Sequence, residues 1–416
     1  MLSKSYIKPS TLIAICIAIF AVMILRRPDI ITNAQPWAED GKIWLAGIYN
    51  EGFWASLVLP QNGYYQTISR LTYGISLLFG ISNAALASNV IAVLIRVAFC
   101  AFILSKRMSF APLKYRLVAV AYMVLMPNLE EGYVNITNIH WYLSMYLMAV
   151  VMADNAESAS WKLHDYSLLI ISSLSGPFVV FIAPCLLIKR VYERGGLFNA
   201  IKGINSFDAI MALCSIIQVA AILLSPDTAR SSAPLGASIG MLVKIVAYRI
   251  MSGTFFPNEA IDFMPYNKWL CAGIFVIFAA PIMYFIVRGG WRYKVAFLFP
   301  ALMFGFALAK PMMSITEPQW PVFFGPGNGE RYFFVTNFVF FCFVLYLVSK
   351  TGAAGKYVLP AVAVVTVCTV ISDFRIKPMP EVGFKEDMVR FNSMRRGEKM
   401  DLRINPPGWT MELKKN

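Results

Sequence analysis

Charge is what this chain lacks most. Asp, Glu, Lys and Arg make up 14% of its 416 residues, against about 25% in an ordinary soluble protein. Histidine is nearly absent, at two residues, and the seven cysteines form no CxxC and have no histidine at ligand spacing. Cys16, Cys100, Cys185, Cys214, Cys271, Cys342 and Cys368 all fall inside apolar runs. That excludes a disulfide scaffold and a zinc site and makes them small core residues. There is no Walker loop, no glycine-rich dinucleotide motif and no HExxH, so no known nucleotide-handling or zinc-protease motif is present. No internal repeat of fixed period is visible, which argues against an inverted-repeat transporter.

What is there is apolar: 58% of residues are hydrophobic and the mean hydropathy is +0.61. The apolar residues come in continuous runs of about 17 to 22, the length at which a helix crosses a ~30 Å hydrocarbon core. A membrane β-barrel would alternate over about ten residues instead. The net charge of +14 sits in short Lys/Arg clusters between apolar runs, the positive-inside pattern of cytoplasmic loops rather than a nucleic-acid footprint. Run 11–25 follows Lys4 and Lys8 and is followed directly by Arg26-Arg27-Pro28. With no small-residue cleavage site, it reads as an uncleaved first span.

Four basic clusters mark the inside: Lys106, Arg107, Lys114 and Arg116; Lys189, Arg190, Arg194 and Lys202; Arg288, Arg292 and Lys294; Lys350 and Lys356. With these fixed, the reading is an all-α polytopic membrane protein with a transmembrane domain over residues 1–372. Nine spans fall near 10–26, 84–105, 112–127, 141–154, 207–225, 268–288, 294–311, 332–349 and 357–372. The N-terminus is inside, and the C-terminal tail 373–416 is outside. Apolar residues 167–188 lie between two inside segments and are interrupted by Gly176-Pro177. They read as a broken re-entrant hairpin. The outer face then holds a large first loop, 27–83, the short segment 128–140, and segments 226–267 and 312–331. In the first loop Trp44, Leu45, Ile48, Phe53, Trp54, Leu57 and Val58 recur at helical spacing, as in helices lying in the membrane interface. Lys244 and Arg249, in an otherwise apolar segment, read as part of an interface helix.

Three outer features could carry chemistry. The first is Trp37-Ala38-Glu39-Asp40-Gly41, about a dozen residues after the first span. Of two adjacent carboxylates, one suits a general base, and both together suit a cation; a helix first turn would favour the same residues for structure alone. The second gathers Glu130, Glu131, Asn135, Asn138, His140 and Trp141 between two spans. Planar polar groups beside aromatic faces match the hydroxyls and C–H surfaces of sugars, while interfacial anchoring and helix capping would use some of the same residues. The third is the glycine-rich run 325–332, with Arg331 where a span begins. Arginine there can hold a lipid phosphate bidentately or simply anchor the helix, and Arg70 is a second candidate of that kind. The tail ends in Asn405-Pro406-Pro407-Gly408-Trp409, a turn with an aromatic anchor, Trp409, placed to cap an outer cavity.

On the Glu39-Asp40 pair in the first outer loop, the chain resembles the GT-C class of polytopic glycosyltransferases. In length, large first outer loop, re-entrant segment and outward tail it is similar to the phage-carried, serotype-converting O-antigen glucosyltransferases of enteric bacteria. The resemblance implies a GT-C-like helical bundle in the bacterial inner membrane with its active site facing the periplasm. It implies a polyprenyl-phosphate-linked sugar donor, undecaprenyl-phosphate glucose, and a lipid-linked O-antigen acceptor. It also implies a helper that makes and flips the donor. In that scheme Asp40 or Glu39 takes the acceptor proton, Arg331 or Arg70 holds the leaving phosphate, and the 128–141 loop binds sugar. No cofactor is required, although the carboxylate pair leaves a divalent cation open. Two other readings stand beside it: a flippase or transporter of lipid-linked sugars, and a membrane acyltransferase using His140. The placement of nearly all acidic residues in loops, with Arg96 the main ionisable group inside a span, favours surface chemistry over translocation.

Overall fold

The computed structural model describes residues 7–225, 231–350 and 355–416. Lys4, residues 226–230 of the third outer segment, the link 351–354 and the Lys356 side chain lie outside the described residues.

The protein is mostly helical, and each of the nine apolar runs coincides with a helix. Among the described residues, six helices are long and apolar enough to cross a membrane: Pro9–Arg26, Ile81–Leu104, Ser206–Leu224, Lys268–Arg288, Trp291–Ala309 and Glu330–Lys350. Ile139–Met152 is apolar but only 14 residues long, about 21 Å at 1.5 Å per residue. All of it except Met152 is buried. It packs against helices Ala84–Leu104, Ala159–Ser173, Val179–Arg194 and Phe334–Lys350, and its near-uniform apolarity follows from that burial on every side.

The bundle has two distinct ends. At one, Arg107 pairs with Asp165 at 2.5 Å and donates to the Asp154 carbonyl at 2.9 Å. There Arg292 reaches the Asp154 carboxylate at 3.2 Å, Arg190 and Arg194 share Asp208, and Lys189 donates to the Ala153 carbonyl. These are the residues the sequence reads as cytoplasmic. The other end carries Asp40, the 128–138 loop and the C-terminal tail.

Residues 167–188 break at Gly176-Pro177, with Gly176 at φ +118°, a conformation open to glycine. The arms are longer than the apolar run alone suggests: Ala159–Ser173 and Val179–Arg194. Ser158 accepts a hydrogen bond from the Trp161 amide and starts the first arm among polar residues. The first arm begins and the second ends near the basic cluster, at Asp165 and Lys189. The tip reaches the opposite end of the bundle, where Tyr65 accepts from the Gly176 amide and the Ser175 hydroxyl accepts from the Ile68 amide.

In the first loop the single amphipathic stripe expected from spacing is divided. Gly52, at φ +96°, separates Ala46–Glu51 from Phe53–Leu57. Trp44, Leu45 and Ile48 turn inward and are buried, while Trp54 and Val58 are exposed. Helix Thr67–Ser76, ten residues, packs on the Asp40 segment. Arg249 also departs from expectation. It is buried rather than interfacial, because its guanidinium donates to the Phe323 and Gly325 carbonyls.

The tail adds a small two-stranded sheet to a fold that is otherwise helical among the described residues. Helix Phe384–Ser393 is followed by an antiparallel hairpin of β1, Lys399–Ile404, and β2, Trp409–Lys414. Leu402, Ile404, Met411 and Leu413 point inward and are buried, the alternation a half-buried strand requires. Asp387 on the helix accepts three hydrogen bonds from Arg403 on β1, and this pairing holds its carboxyl below the usual carboxylate range.

Candidate functional site

The adjacent acidic pair occupies two different environments. Asp40 opens a wide helical turn, Asp40–Leu45, and is buried. Its Oδ1 accepts from the Thr137 amide and hydroxyl, both at 2.8 Å, and its Oδ2 accepts from the Ile136 amide at 3.2 Å. Burial pushes its carboxyl up to about 7, against the pull of the Thr137 and Ile136 hydrogen bonds and with a smaller upward push from Glu39. No cation pairs with it among the described residues. With two acceptor sites per oxygen, one site on Oδ2 remains open. Glu39 is half-buried and has no hydrogen-bond or ion-pair partner among the described residues.

Two backbone positions beside this node are strained. Ala38, immediately before the pair, has φ +43°, and Val134, two residues before Ile136, has φ +61°. A β-branched residue there is a genuine outlier, and such strain persists only where the surroundings enforce it. At Ala38 the enforcing contact is the tail: Asn405 accepts from the Ala38 amide and donates its own amide to the Pro36 carbonyl at 3.2 Å. Ile404 lies against Gly41 so closely that an added Cβ would meet its Cδ1 at 2.8 Å. The turn 405–408 therefore holds the acidic pair from behind, and Trp409 projects half-exposed under the Lys42 ammonium, 5.4 Å away.

Trp44 links Asp40 to Arg70. Its Nε1 donates to the Thr137 hydroxyl at 3.1 Å, and the Arg70 guanidinium lies over its ring at 5.1 Å. The sequence marks Trp44 only as one of the interfacial residues of the first loop, and it does not mark Thr137 at all. Neither belongs to a motif, and the contact spans 93 residues.

The second cluster is divided by the fold. Glu131 accepts from the Arg331 amide at 3.1 Å and forms an ion pair with its guanidinium, while the Glu131 amide donates to Glu330 at 3.0 Å. This reciprocal clamp ties the 128–138 loop to the 325–333 loop and occupies Arg331. Asn135 donates to the Glu131 carbonyl and caps the Asn138 amide, so both asparagines shape the turn. Glu130 is exposed, and its carbonyl receives Arg27.

His140 and Trp141, by contrast, line a cleft of about 100 Å³ with Asn62, Tyr64, Phe178, Lys310 and Tyr332. His140 stacks on Phe178 at 5.5 Å, and Trp141 meets Tyr332 edge-on at 5.8 Å. Both residues are more than nine-tenths buried. Trp141 Nε1 has no hydrogen-bond partner; His140 Nδ1 makes no well-formed hydrogen bond, although the Thr137 backbone lies beside the ring. Aromatic walls with unused donors and an ammonium at the rim are what a polar, planar-faced ligand requires. Asn62, Tyr64, Lys310 and Tyr332 converge on this cleft from segments far apart in the chain, so no local pattern announced them.

Among the described residues no three His, Cys, Asp or Glu side chains gather as a metal site. No protein-family model, curated protein or solved structure matches the chain.

Proposed function

We propose that the chain is a glycosyltransferase of GT-C type, crossing the bacterial inner membrane about nine times around a re-entrant hairpin. It transfers a sugar, glucose on the resemblance above, from a polyprenyl-phosphate donor to O-antigen or a related lipid-linked glycan on the periplasmic face. The observation that carries this reading is Asp40. It is a carboxyl group poised near neutrality by burial, held between two strained backbone positions, and set at the end of the bundle opposite the basic cluster. A general base works best with its value near the working pH.

In this mechanism the acceptor hydroxyl gives its proton to the open site on Asp40 Oδ2 as its oxygen attacks the anomeric carbon. The bond from that carbon to the lipid phosphate breaks through an oxocarbenium-like state, and the phosphate leaves with the electron pair. Glu39, with both oxygens free, binds sugar hydroxyls, and the His140–Trp141 cleft receives a sugar ring against its aromatic walls. The acyltransferase reading lacks support of this kind, since no acidic side chain hydrogen-bonds His140 among the described residues.

The test is made in an enteric host that supplies the donor, with the released polysaccharide measured by mass spectrometry. Expression of the wild-type chain should add one hexose per repeat unit, and Asp40→Asn should abolish the gain. No mass change from a correctly inserted wild-type chain with donor present would contradict the reading.

A further inference from the structure

Among the described residues seven arginines are buried: Arg26, Arg27, Arg70, Arg96, Arg107, Arg116 and Arg249. Six of the seven donate from the guanidinium to protein oxygens. Arg26 reaches the carbonyls of Phe374, Val124, Met126 and Asp373; Arg27 reaches that of Glu130; Arg96 those of Ala92 and Gly132. Arg107 takes Asp165 and the Asp154 carbonyl, Arg116 the carbonyls of 103–105, and Arg249 those of Phe323 and Gly325. Arg70 is the exception. It is 4% exposed, and among the described residues its guanidinium makes no hydrogen bond or ion pair, with Nε fully buried and unpartnered. Glu51, the carboxylate whose field reaches it, is exposed and too distant for an ion pair.

A buried Nε without a partner is costly, and a cation–π contact with Trp44 offsets only part of that cost. The surroundings are shaped for a polar guest. Gly47 keeps the space beside Arg70 open: a Cβ there would lie 4.0 Å from Arg70 Nη1 and 3.6 Å from Ser56 Oγ. Ser56 Oγ is itself buried without a partner. On the adjoining surface, Phe53 lies against Gly74, and Trp54, Val58, Ile75 and Leu78 are exposed. A fork of free N–H donors and a free hydroxyl beside bare apolar surface match an amphiphile with a phosphate head.

We propose that Arg70, stacked on Trp44 beside Ser56 and Gly47, binds a phosphate group carried by a membrane lipid, and that Arg331, occupied by Glu131, does not. The binding stands on this geometry alone. That the phosphate is the leaving group of the transfer rests on the transferase reading, and fits the position of Arg70 on one face of the indole whose Nε1 edge is tied through Thr137 to Asp40.

The experiment is a titration of the purified full-length protein in nanodiscs with polyprenyl monophosphate, followed by native mass spectrometry. Polyprenol of the same chain length and inorganic phosphate are run in parallel. Because it reads binding without transfer, its outcome is separable from that of the polysaccharide experiment. Arg70→Gln should raise the Kd for polyprenyl phosphate at least tenfold, whereas Arg331→Gln should leave it within twofold. The thermal midpoint of ligand-free Arg70→Gln should match or exceed that of the wild type, because the guanidinium makes no hydrogen bond or ion pair among the described residues and its unpartnered Nε has been removed. Affinity within twofold of the wild type in Arg70→Gln overturns the proposal. So does a ligand-free midpoint several degrees lower accompanying lost binding, the signature of a structural arginine. Polyprenol binding as tightly as its phosphate, or inorganic phosphate as tightly as the lipid, overturns the lipid-phosphate assignment.

Discussion

The two ends of the bundle handle polar groups in opposite ways. At the basic end, Arg107, Asp165, His164 and Tyr146 form one chain of contacts, with His164 Nδ1 2.9 Å from Asp165 and Nε2 2.7 Å from the Tyr146 hydroxyl. Asp154 binds Ser109 and Arg292, and Asp208 binds Arg190 and Arg194. Each of those carboxylates meets a cation. At the other end the rim is equally well paired, through Glu131–Arg331 and Asp387–Arg403. The groups inside that rim are not: among the described residues Asp40 has donors but no cation, Glu39 has neither, and the Arg70 guanidinium and Trp141 Nε1 make no hydrogen bond. Closed networks make a structure rigid, while open buried donors and acceptors persist where something else completes them.

The sharpest way to break this comparison is to exchange function against stability. Asp40→Asn should lower hexose transfer by about 10²–10⁴-fold, the usual contribution of a general base. It should lower the thermal midpoint only modestly, since Asn keeps one oxygen for the two Thr137 bonds and loses the Ile136 bond, a cost of about 1–3 kcal/mol. Arg107→Ala should do the reverse. Removing one partner of a buried pair costs about 3–5 kcal/mol, which should lower the unfolding midpoint markedly, while the folded fraction transfers hexose at the wild-type rate. A smaller effect tests the tail's hold on the acidic pair. Gly41→Ala places a Cβ against Ile404 and Pro36, an overpacking worth about 1–3 kcal/mol. It should expose the tail to limited proteolysis and reduce transfer in step. The least effect is expected from Trp409→Ala, which removes a surface contact with Lys42 worth about 0.5–1 kcal/mol and should alter transfer less than twofold.

Much of the basic end and of the helix pattern was legible in the sequence, because apolar runs and Lys/Arg clusters are local signals. The break at Gly176-Pro177 was legible for the same reason. Its arms were not, since Ala159–Ser173 begins among polar residues and hydropathy alone hides it. The β1–β2 hairpin was readable in principle: Leu402 and Ile404, then Met411 and Leu413, alternate about a Pro-Pro-Gly turn. At the site end, Glu39, Asp40, His140 and Trp141 stood out by residue type. What type cannot tell is that Arg331 is paired and Arg70 is not, for both are arginines beside an apolar segment. Thr137 and Trp44 complete the Asp40 node only through contacts between distant segments.

The most direct test of the central claim is the pH dependence of transfer, because it follows from the way Asp40 is buried. Its folded value, about 7, lies above the 3.8 of a free carboxyl. The proton is therefore held more tightly in the folded chain, and the stability it contributes is complete below about pH 4 and lost as pH rises through 7. The catalytically competent, deprotonated form grows over the same window. The account predicts a rate that falls about tenfold per unit below an acid midpoint near 7, with that limb absent from the residual activity of Asp40→Asn. A rate flat from pH 5 to 8, or a wild-type acid limb retained in Asp40→Asn, would contradict it.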